Sequence, residues 1–124
     1  MVDDISSEEV EQAIKETRLL LIDAWAPTCV PCKELAPILE DLEEMYADNA
    51  DLRIVKVNTN KHIGFATENN IFAIPCVLAF FEGAPAKYNL HNPDTGETKI
   101  IDRLLGLRPL EHYDDMVRAL LDTA

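Results

Sequence analysis

The chain contains a short apolar run that stops just before two closely spaced cysteines. Leu19 to Trp25 is apolar except for Asp23, and Cys29-Val30-Pro31-Cys32 follows within a few residues. A run of this length is typical of a fully buried strand. From Pro31 to Ala47 the apolar residues recur at helical spacing along one stripe, which predicts the main helix of the chain. The cysteine pair is therefore expected where a buried strand gives way to a helix.

The other periodic segments alternate between helix and strand patterns. Ser6 with Glu9 three positions later forms a capping box, so a helix is expected from there to about Glu16. Asn58 or Asn60 is expected to cap the third helix. The remaining predicted elements are a strand from Leu52 to Asn58, a helix from Lys61 to Asn69, a strand from Cys76 to Phe81, and a closing helix from Leu110 to Leu121.

The segment between the strand that begins at Cys76 and the closing helix is rich in turn residues. Glu82-Gly83 predicts a hairpin turn directly after that strand. Asn92-Pro93-Asp94-Thr95-Gly96 is a second turn signal, set between Lys87 to Leu90 and Lys99 to Leu105. We therefore expect the last strand to be long and to run from Lys99 to Leu105.

Length and charge exclude several classes of protein. The chain has 124 residues, of which 48% are hydrophobic, and this predicts one domain covering residues 1–124. Its formal net charge of -12 would repel nucleic acid phosphates and anionic lipids, so neither nucleic acid nor a membrane is an expected partner. The apolar runs are too short to span a bilayer, and the acidic start lacks the basic region of a signal peptide. We therefore expect a cytoplasmic protein.

The two closely spaced cysteines are the candidate reactive groups. At a helix N-terminus, unpaired backbone N–H groups and the helix dipole stabilise an anion, which is expected to lower the pKa of the Cys29 thiol. Cys32, one turn into the helix, is expected to be more enclosed and suits a thiol that resolves a mixed disulfide. The alternatives are inert core cysteines, or metal or iron–sulfur binding through Cys29, Cys32 and Cys76. Zinc usually takes four ligands, whereas the chain offers one cysteine pair, a lone Cys76 and 3 scattered histidines.

Three segments of the sequence resemble the thioredoxin family. The stretch from Asp23 to Lys33 is similar to the active-site segment of that family, and Ile74-Pro75 followed by a strand and Gly83 is similar to its cis-proline region. Gly106 before the last helix matches as well. The resemblance runs from about Leu19 to Leu121. It implies an α/β protein with the thioredoxin fold, in which a central mixed sheet of four or five strands is flanked by helices on both faces.

The resemblance also implies a reaction and its partners. It predicts a protein-disulfide reductase that works by dithiol–disulfide exchange through Cys29 and Cys32 and needs no cofactor. The expected partners are disulfide-containing protein substrates and a thioredoxin reductase or similar reductase. The sequence does not fix a redox potential, so an oxidant or isomerase role stays open. A non-catalytic interaction module with the same fold is a further alternative.

Asp23 and Lys56 are candidate partners of the cysteine pair. Asp23 lies within an apolar strand, where an unpaired buried carboxylate is unfavourable, so its pKa is expected to be raised. By resemblance it relays a proton for Cys32, and Lys56 matches the family's lysine near that acid. The simpler interpretations are an aspartate at a strand end and a lysine that faces solvent.

Several residues around the pair are expected to contact the substrate by the same resemblance. Pro75 is expected in the cis form, with its backbone beside Cys29 where an extended substrate segment can pair with it. A trans loop proline is the alternative. Trp25 is expected to pack under the active-site loop without a catalytic role. The predicted substrate-binding residues are Trp25, Thr28, Val30, Pro31, Ile74 and Pro75.

The sequence departs from the common family pattern at several positions. Thr28 and Val30 stand where Trp and Gly are usual around the first cysteine, and Cys76 replaces the Thr that usually follows the cis-proline. Cys76 is expected to be a small core residue, a secondary redox thiol or a cluster ligand. The segment before Ser6 leaves room for only a reduced edge strand, and residues 84–99 are expected to form an extended hairpin.

Overall fold

Helices and strands follow the predicted order in the computed structural model, which describes residues 2–122. The helices are α1 (Ser7–Glu16), α2 (Val30–Met45), α3 (Ile63–Glu68) and α4 (Leu110–Asp122). The strands are β1 (Asp3–Asp4), β2 (Leu19–Trp25), β3 (Leu52–Asn58), β4 (Cys76–Phe81), β5 (Ala84–Pro85), β6 (Tyr88–His91), β7 (Thr98–Ile101) and β8 (Arg103–Leu105). Within this part of the chain, each helix is too short or too polar to cross a bilayer.

The main sheet is mixed. Its strand order is β1-β3-β2-β4, and both β5 and β8 pair along the outer edge of β4. β3 is parallel to β1 and to β2, whereas β4 runs antiparallel to β2. The predicted mixed sheet is confirmed. It contains 6 strands instead of four or five because β5 and β8 share one edge of β4.

The sheet separates two apolar cores, each covered by a pair of helices. On one face, Leu19 and Leu21 of β2 pack with Leu39 of α2 and Tyr113 of α4. The core on the opposite face lies against α1 and α3 and includes Val10, Leu20, Ile22, Ala24 and Phe65. Alternate residues of β2 therefore enter different cores, as the geometry of a strand requires. Helices on both faces of a mixed sheet confirm the predicted fold class.

The starts of α1 and α3 differ in how they are capped. The Ser6 hydroxyl accepts the Glu9 backbone N–H at 3.3 Å, and Glu9 Oε1 accepts the Ser6 backbone N–H at 3.1 Å, which confirms the capping box. α3 follows His62, which makes no side-chain capping bond. Asn58 Oδ1 instead accepts the Asn60 backbone N–H at 3.0 Å. The predicted cap of α3 by Asn58 or Asn60 is wrong. The Asn58 side chain closes a local turn before the helix begins, and His62 is the N-cap residue.

The predicted long strand from Lys99 to Leu105 is also wrong, because the chain changes sheets at Asp102. β7 pairs with β6 in a separate two-stranded sheet, whereas β8 pairs with β4. The Asp102 carboxylate accepts a hydrogen bond from Arg103 Nε at 2.7 Å, and its carbonyl accepts the Ala79 N–H at 2.8 Å. Aspartate is disfavoured inside strands, and here it marks the break. The extended hairpin predicted for residues 84–99 is present with shifted bounds: β6 and β7 form it over residues 88–101, whereas Ala84–Pro85 pairs with β4 as β5.

The N-terminal edge strand is as short as expected. Asp3 and Asp4 pair in parallel with Val55 and Lys56 of β3. The Val2 backbone N–H donates to the Glu40 carboxylate of α2 at 3.2 Å, which ties the N-terminal segment to that helix. The pairing brings the acidic start of the chain to the edge of the sheet beside Lys56.

Leu39 tests the packing of α2 on the sheet, since its side chain is 1% exposed. Leu39→Ala should lower the free energy of unfolding by about 2–5 kcal/mol, because transfer free energy is lost and a cavity remains. Leu107→Ala, at a side chain that is 42% exposed, should change it by about 0.5 kcal/mol or less. Urea unfolding of both variants measures the two values. Equal losses would contradict the assigned packing of α2.

Candidate active site

The two cysteines lie at the first turn of α2. Cys29 is the N-cap residue, and its Sγ accepts the backbone N–H of Cys32 at 3.2 Å. The two residues are joined in a disulfide, with their Cα atoms 5.2 Å apart. The Cys29 N–H donates to the Ala26 carbonyl at 3.1 Å, which closes a turn between β2 and α2. The predicted position at a strand-to-helix junction is confirmed.

The two sulfurs differ in accessibility. Cys29 is half-buried, whereas Cys32 is 3% exposed. A large disulfide substrate can therefore approach Cys29, while Cys32 lies behind it. The free N–H groups and the dipole at the start of α2 stabilise negative charge on Cys29 when the disulfide is reduced. The arrangement suits one attacking thiolate and one enclosed resolving thiol.

Asp23 lies on the face of the sheet that packs against α2. Along β2 it follows Leu19 and Leu21 at every second position, so it shares their face, and those two residues belong to the core against α2 and α4. Asp23 is 3% exposed, and within residues 2–122 its Oδ1 has no hydrogen-bond partner. Loss of solvation raises the pKa of Asp23 to about 7, against a smaller lowering by the charge of Lys56. The expected rise in pKa is confirmed, so this carboxyl can exchange a proton near neutral pH.

Lys56 lies opposite Asp23 in the neighbouring strand β3. It is half-buried, and its Nζ is 5.0 Å from the centre of the Trp25 ring, a cation–π distance. Trp25 Nε1 donates to Asp4 Oδ1 at 3.3 Å, and Asp4 is the β1 partner of Lys56. Asp4 was missing from the sequence predictions because only the pairing of β1 shows which residue of the acidic start meets Lys56. The Trp25 indole thus contacts both Asp4 of the N-terminal strand and Lys56, which lies opposite Asp23.

Pro75 borders the site on the side of β4. The Ile74–Pro75 peptide bond is cis, as the resemblance predicted. β4 starts at the next residue and runs antiparallel to β2, which places Pro75 at the sheet end where β2 leads into residues 26–32. We call these residues, which include the first turn of α2, the cysteine loop. The Pro75 carbonyl accepts the Gly106 N–H at 2.9 Å. Gly106 and the cis-proline therefore share one edge of the site.

Exposed apolar side chains occur in the cysteine loop and in the loop before Pro75. Val30 is 63% exposed, and Phe72, two residues before Ile74, is 92% exposed. Thr28 and Pro31 are exposed, and Ile74 is half-buried. Phe72 was not among the predicted site residues, although an aromatic residue just ahead of the expected cis-proline was a usable signal. Val30 and Phe72 therefore place exposed apolar side chains next to the disulfide and next to the cis-proline segment in the sequence.

Cys76 faces away from the cysteine pair. It is the β4 partner of Ala24, and both residues belong to the core that faces α1 and α3. Burial raises the pKa of the Cys76 thiol. In the described part of the chain, no three His, Cys, Asp or Glu side chains are arranged to hold a metal ion. The structure therefore favours the core role of Cys76 and argues against a metal or cluster site shared by all three cysteines.

The Thioredoxin family model matches residues 1–103 of the chain. The chain belongs to the thioredoxin family. It is 35% identical over 83 residues to "Thioredoxin M-type, chloroplastic" of Spinacia oleracea and 38% identical over 73 residues to a thioredoxin of Griffithsia pacifica. These matches cover 66% and 59% of the chain but only 45% and 65% of the two relatives. A thioredoxin of Staphylococcus aureus is 28% identical over 102 residues, which is 82% of each protein.

Solved structures of thioredoxins share the fold. Oxidised mitochondrial thioredoxin 3 of Saccharomyces cerevisiae superposes with a TM-score of 0.71 at 23% identity, covering 94% of this chain and 93% of that one. A mutant thioredoxin of Halobacterium salinarum gives a TM-score of 0.72 at 17% identity, covering 95% and 90%. The predicted thioredoxin fold is confirmed.

Asp23 should make the stability of the protein depend on pH. Its carboxyl has an ordinary pKa of 3.8 and a folded pKa of about 7, so between these values the folded chain binds a proton that the unfolded chain has lost. The free energy of unfolding should therefore fall by up to about 4 kcal/mol as pH rises from about 4 to about 7, and Asp23→Asn should remove that fall. Chemical denaturation of the oxidised protein from about pH 4 to about pH 7 measures this change in the free energy of unfolding.

An exposed aspartate on α2 provides the matched control for this experiment. Asp41→Asn should keep the pH dependence of the original chain, because the side chain is solvated in both states. If Asp23→Asn shows the same fall in stability as the original chain, Asp23 is not the buried group that titrates.

Proposed function

We propose that the chain is a thiol–disulfide oxidoreductase that reduces disulfides in other proteins. The observation that carries this proposal is the disulfide at the start of α2, with Cys29 accessible and Cys32 enclosed. A dithiol in this position can transfer two electrons to a substrate and return to the disulfide form. Membership of the thioredoxin family supports the same reaction.

The proposed reaction proceeds through a mixed disulfide. The Cys29 thiolate attacks one sulfur of the substrate disulfide, the substrate S–S bond breaks, and the other substrate sulfur leaves as a thiolate that takes up a proton. Deprotonated Cys32 then attacks the Cys29 sulfur and displaces the first substrate sulfur, which is also protonated. The substrate gains two electrons, and the chain is left with the Cys29–Cys32 disulfide.

Asp23 serves as the base for the second step in this proposal. Cys32 is almost fully buried and must lose a proton before it can attack. Asp23 lies on the same face of the sheet as α2, and its pKa of about 7 allows its carboxylate to accept that proton near neutral pH. Lys56, directly opposite, stabilises the carboxylate form between turnovers.

The proposed binding surface for substrate lies between the cysteine loop and Pro75. An extended substrate segment can pair with the backbone next to the cis-proline, which brings its disulfide to Cys29. Exposed apolar side chains on both sides can contact the substrate, with Val30 on the cysteine loop and Phe72 before the cis-proline. The proposed substrate-binding residues are Trp25, Thr28, Val30, Pro31, Ile74 and Pro75, with Phe72 added from the structure.

The oxidised chain needs an electron donor to complete the cycle. We propose that this donor is a thioredoxin reductase or a similar reductase. Residues 1–124 act as one domain in this proposal, and the chain itself binds no cofactor. The net charge of -12 disfavours nucleic acid and anionic membranes as further partners. A reducing compartment such as the cytoplasm fits net reduction of substrates. Among the relatives are a chloroplastic and a bacterial thioredoxin.

Removing the resolving thiol should trap the substrate. Reduced Cys32→Ser protein, incubated with oxidised cell extract, should accumulate covalent complexes because the mixed disulfide at Cys29 can no longer be displaced. Cys29→Ser is the matched control: it keeps two thiols, Cys32 and Cys76, and should trap little. Non-reducing gels followed by mass spectrometry identify the complexes, which dithiothreitol should release.

Two outcomes of this experiment would contradict the proposal. Negligible trapping by both variants would indicate an interaction module without turnover. Equal trapping by both variants would show that Cys29 is not the thiol that attacks the substrate.

A further inference from the structure

A cavity of about 590 Å³ lies between the β6–β7 hairpin and α4. Residues 88–93 of the hairpin form one wall, and Arg108, His112 and Asp115 form the other. The hairpin is the segment in which the sequence is longer than the usual thioredoxin pattern. The cavity is therefore a feature of this chain that the cysteine chemistry does not use.

Arg108 brings to this cavity a positive charge that has no acidic ion-pair partner among residues 2–122. Its Nε donates to the Leu105 carbonyl at 2.9 Å, and its Nη1 lies 3.4 Å from His112 Nδ1. The other arginines among residues 2–122 lie against carboxylates, in the pairs Arg18–Asp51, Arg53–Asp3, Arg103–Asp102 and Arg118–Asp114. In a chain with a net charge of -12, this guanidinium remains available to an external anion.

Further hydrogen-bonding groups line the same cavity from the hairpin. His91 bonds through Nδ1 to Thr98 Oγ1 at 3.1 Å, which fixes its ring. Asn92 Oδ1 accepts the Asp94 N–H at 2.9 Å, so the amide N–H groups of Asn92 are the part of the side chain left for a ligand. The hairpin wall thus places the Asn92 amide donors and the His91 ring opposite Arg108.

Asp115 is the acidic residue of the cavity lining, and it shares the charge of Arg118 with Asp114. Arg118 Nη2 donates to Asp115 Oδ1 at 3.0 Å, three residues along α4. Because this carboxylate is paired, it opposes an incoming anion less than a free aspartate would. The described residues form no cluster of three metal-ligating side chains, so the donors here are not arranged for a cation.

We propose that this cavity binds a small molecule that carries an oxyanion, either a phosphate ester or a carboxylate, with Arg108 as the principal ligand. A guanidinium can donate to two oxygens of either group at once. Because Arg108 Nη1 donates to His112 Nδ1, the Nε2–H of His112 is a further donor, and the His91 ring lies on the opposite wall. The volume of about 590 Å³ greatly exceeds the roughly 30 Å³ of a water molecule, so the cavity has room for a ligand larger than a bare ion. Hydroxyl groups on its body would contact the Asn89 and Asn92 amides.

The binding site and the cysteine site share a backbone segment but no reacting group. Arg108 is held by the Leu105 carbonyl, and the neighbouring Gly106 N–H donates to the Pro75 carbonyl at 2.9 Å. Arg108 is therefore linked to the cis-proline through the backbone of residues 105–106. Anion binding is independent of the proposed disulfide reduction and can be measured on the oxidised chain.

An NMR titration tests this proposal directly. The oxidised, ¹⁵N-labelled full chain is titrated at constant ionic strength with ribose 5-phosphate, with gluconate, and with neutral ribose. At least one of the two anions should give saturable shifts in the amides of residues 88–93 and 108–115, and ribose should give none. The anion that binds more tightly identifies the oxyanion, phosphate ester or carboxylate.

Charge variants show whether Arg108 is the ligand. Arg108→Gln should weaken binding by about tenfold or more, because a charge-assisted hydrogen bond is lost. Arg53→Gln, which removes an arginine from β3, is the matched control and should bind as the original chain does. If Arg108→Gln fails to fold, as judged by its amide spectrum, His112→Gln takes its place, and a several-fold loss is expected.

Three results would overturn the proposal. They are an absence of saturable shifts with both anions, equal binding of ribose and the anions, and an unchanged affinity in the folded variants of Arg108 and His112.

Discussion

Helix α2 begins on a sulfur atom, and the chemistry of the chain depends on that contact. The Cys32 backbone N–H donates to Cys29 Sγ at 3.2 Å, in the place where Ser, Thr or Asp oxygen more often caps a helix. A thiolate is a better acceptor for this N–H than a neutral sulfur, and the helix dipole favours it further. In the proposed mechanism, the local fold that starts α2 is thus the same feature that activates the leading thiol.

The sheet determines which groups can take part in this chemistry. Because strand residues alternate between faces, Asp23 enters the core beneath α2, whereas Cys76 enters the opposite core. One oxygen of the buried Asp23 carboxylate has no hydrogen-bond partner within residues 2–122, which is unfavourable for folding. Its raised pKa is useful where an enclosed thiol must lose a proton, so a cost in stability and a gain in proton transfer have one physical origin. Lys56 lies opposite Asp23, and the Trp25 indole lies beside Lys56 and donates to Asp4 of β1.

Local signals predicted much of this structure. The capping box at Ser6, the apolar run of β2 and the helical stripe of α2 are each contained in a few neighbouring residues, and all three were confirmed. The position of Cys29 at the start of α2 followed from the same patterns. Asp23 could be singled out because an acid inside an apolar strand is unusual.

The errors came from features that depend on distant residues. The break at Asp102 arises because β7 and β8 pair with different strands, which the pattern from Lys99 to Leu105 does not show. The side on which Cys76 lies depends on its register with β2, and the role of Asp4 depends on the pairing of β1. Arg108 was unremarkable in the sequence, since only the folded hairpin shows that it lines a cavity and forms no ion pair with the other described residues.

The acidity of Cys29 tests the central claim most directly. The reduced protein is alkylated with iodoacetamide across a range of pH, and mass spectrometry follows Cys29 and Cys32 separately. Cys29 should react first, with a half-maximal rate at least about one pH unit below the value of about 8.5 for free cysteine. If the Cys29 thiol titrates like free cysteine, or if Cys32 reacts first, the start of α2 does not activate the leading sulfur and the proposed mechanism is wrong.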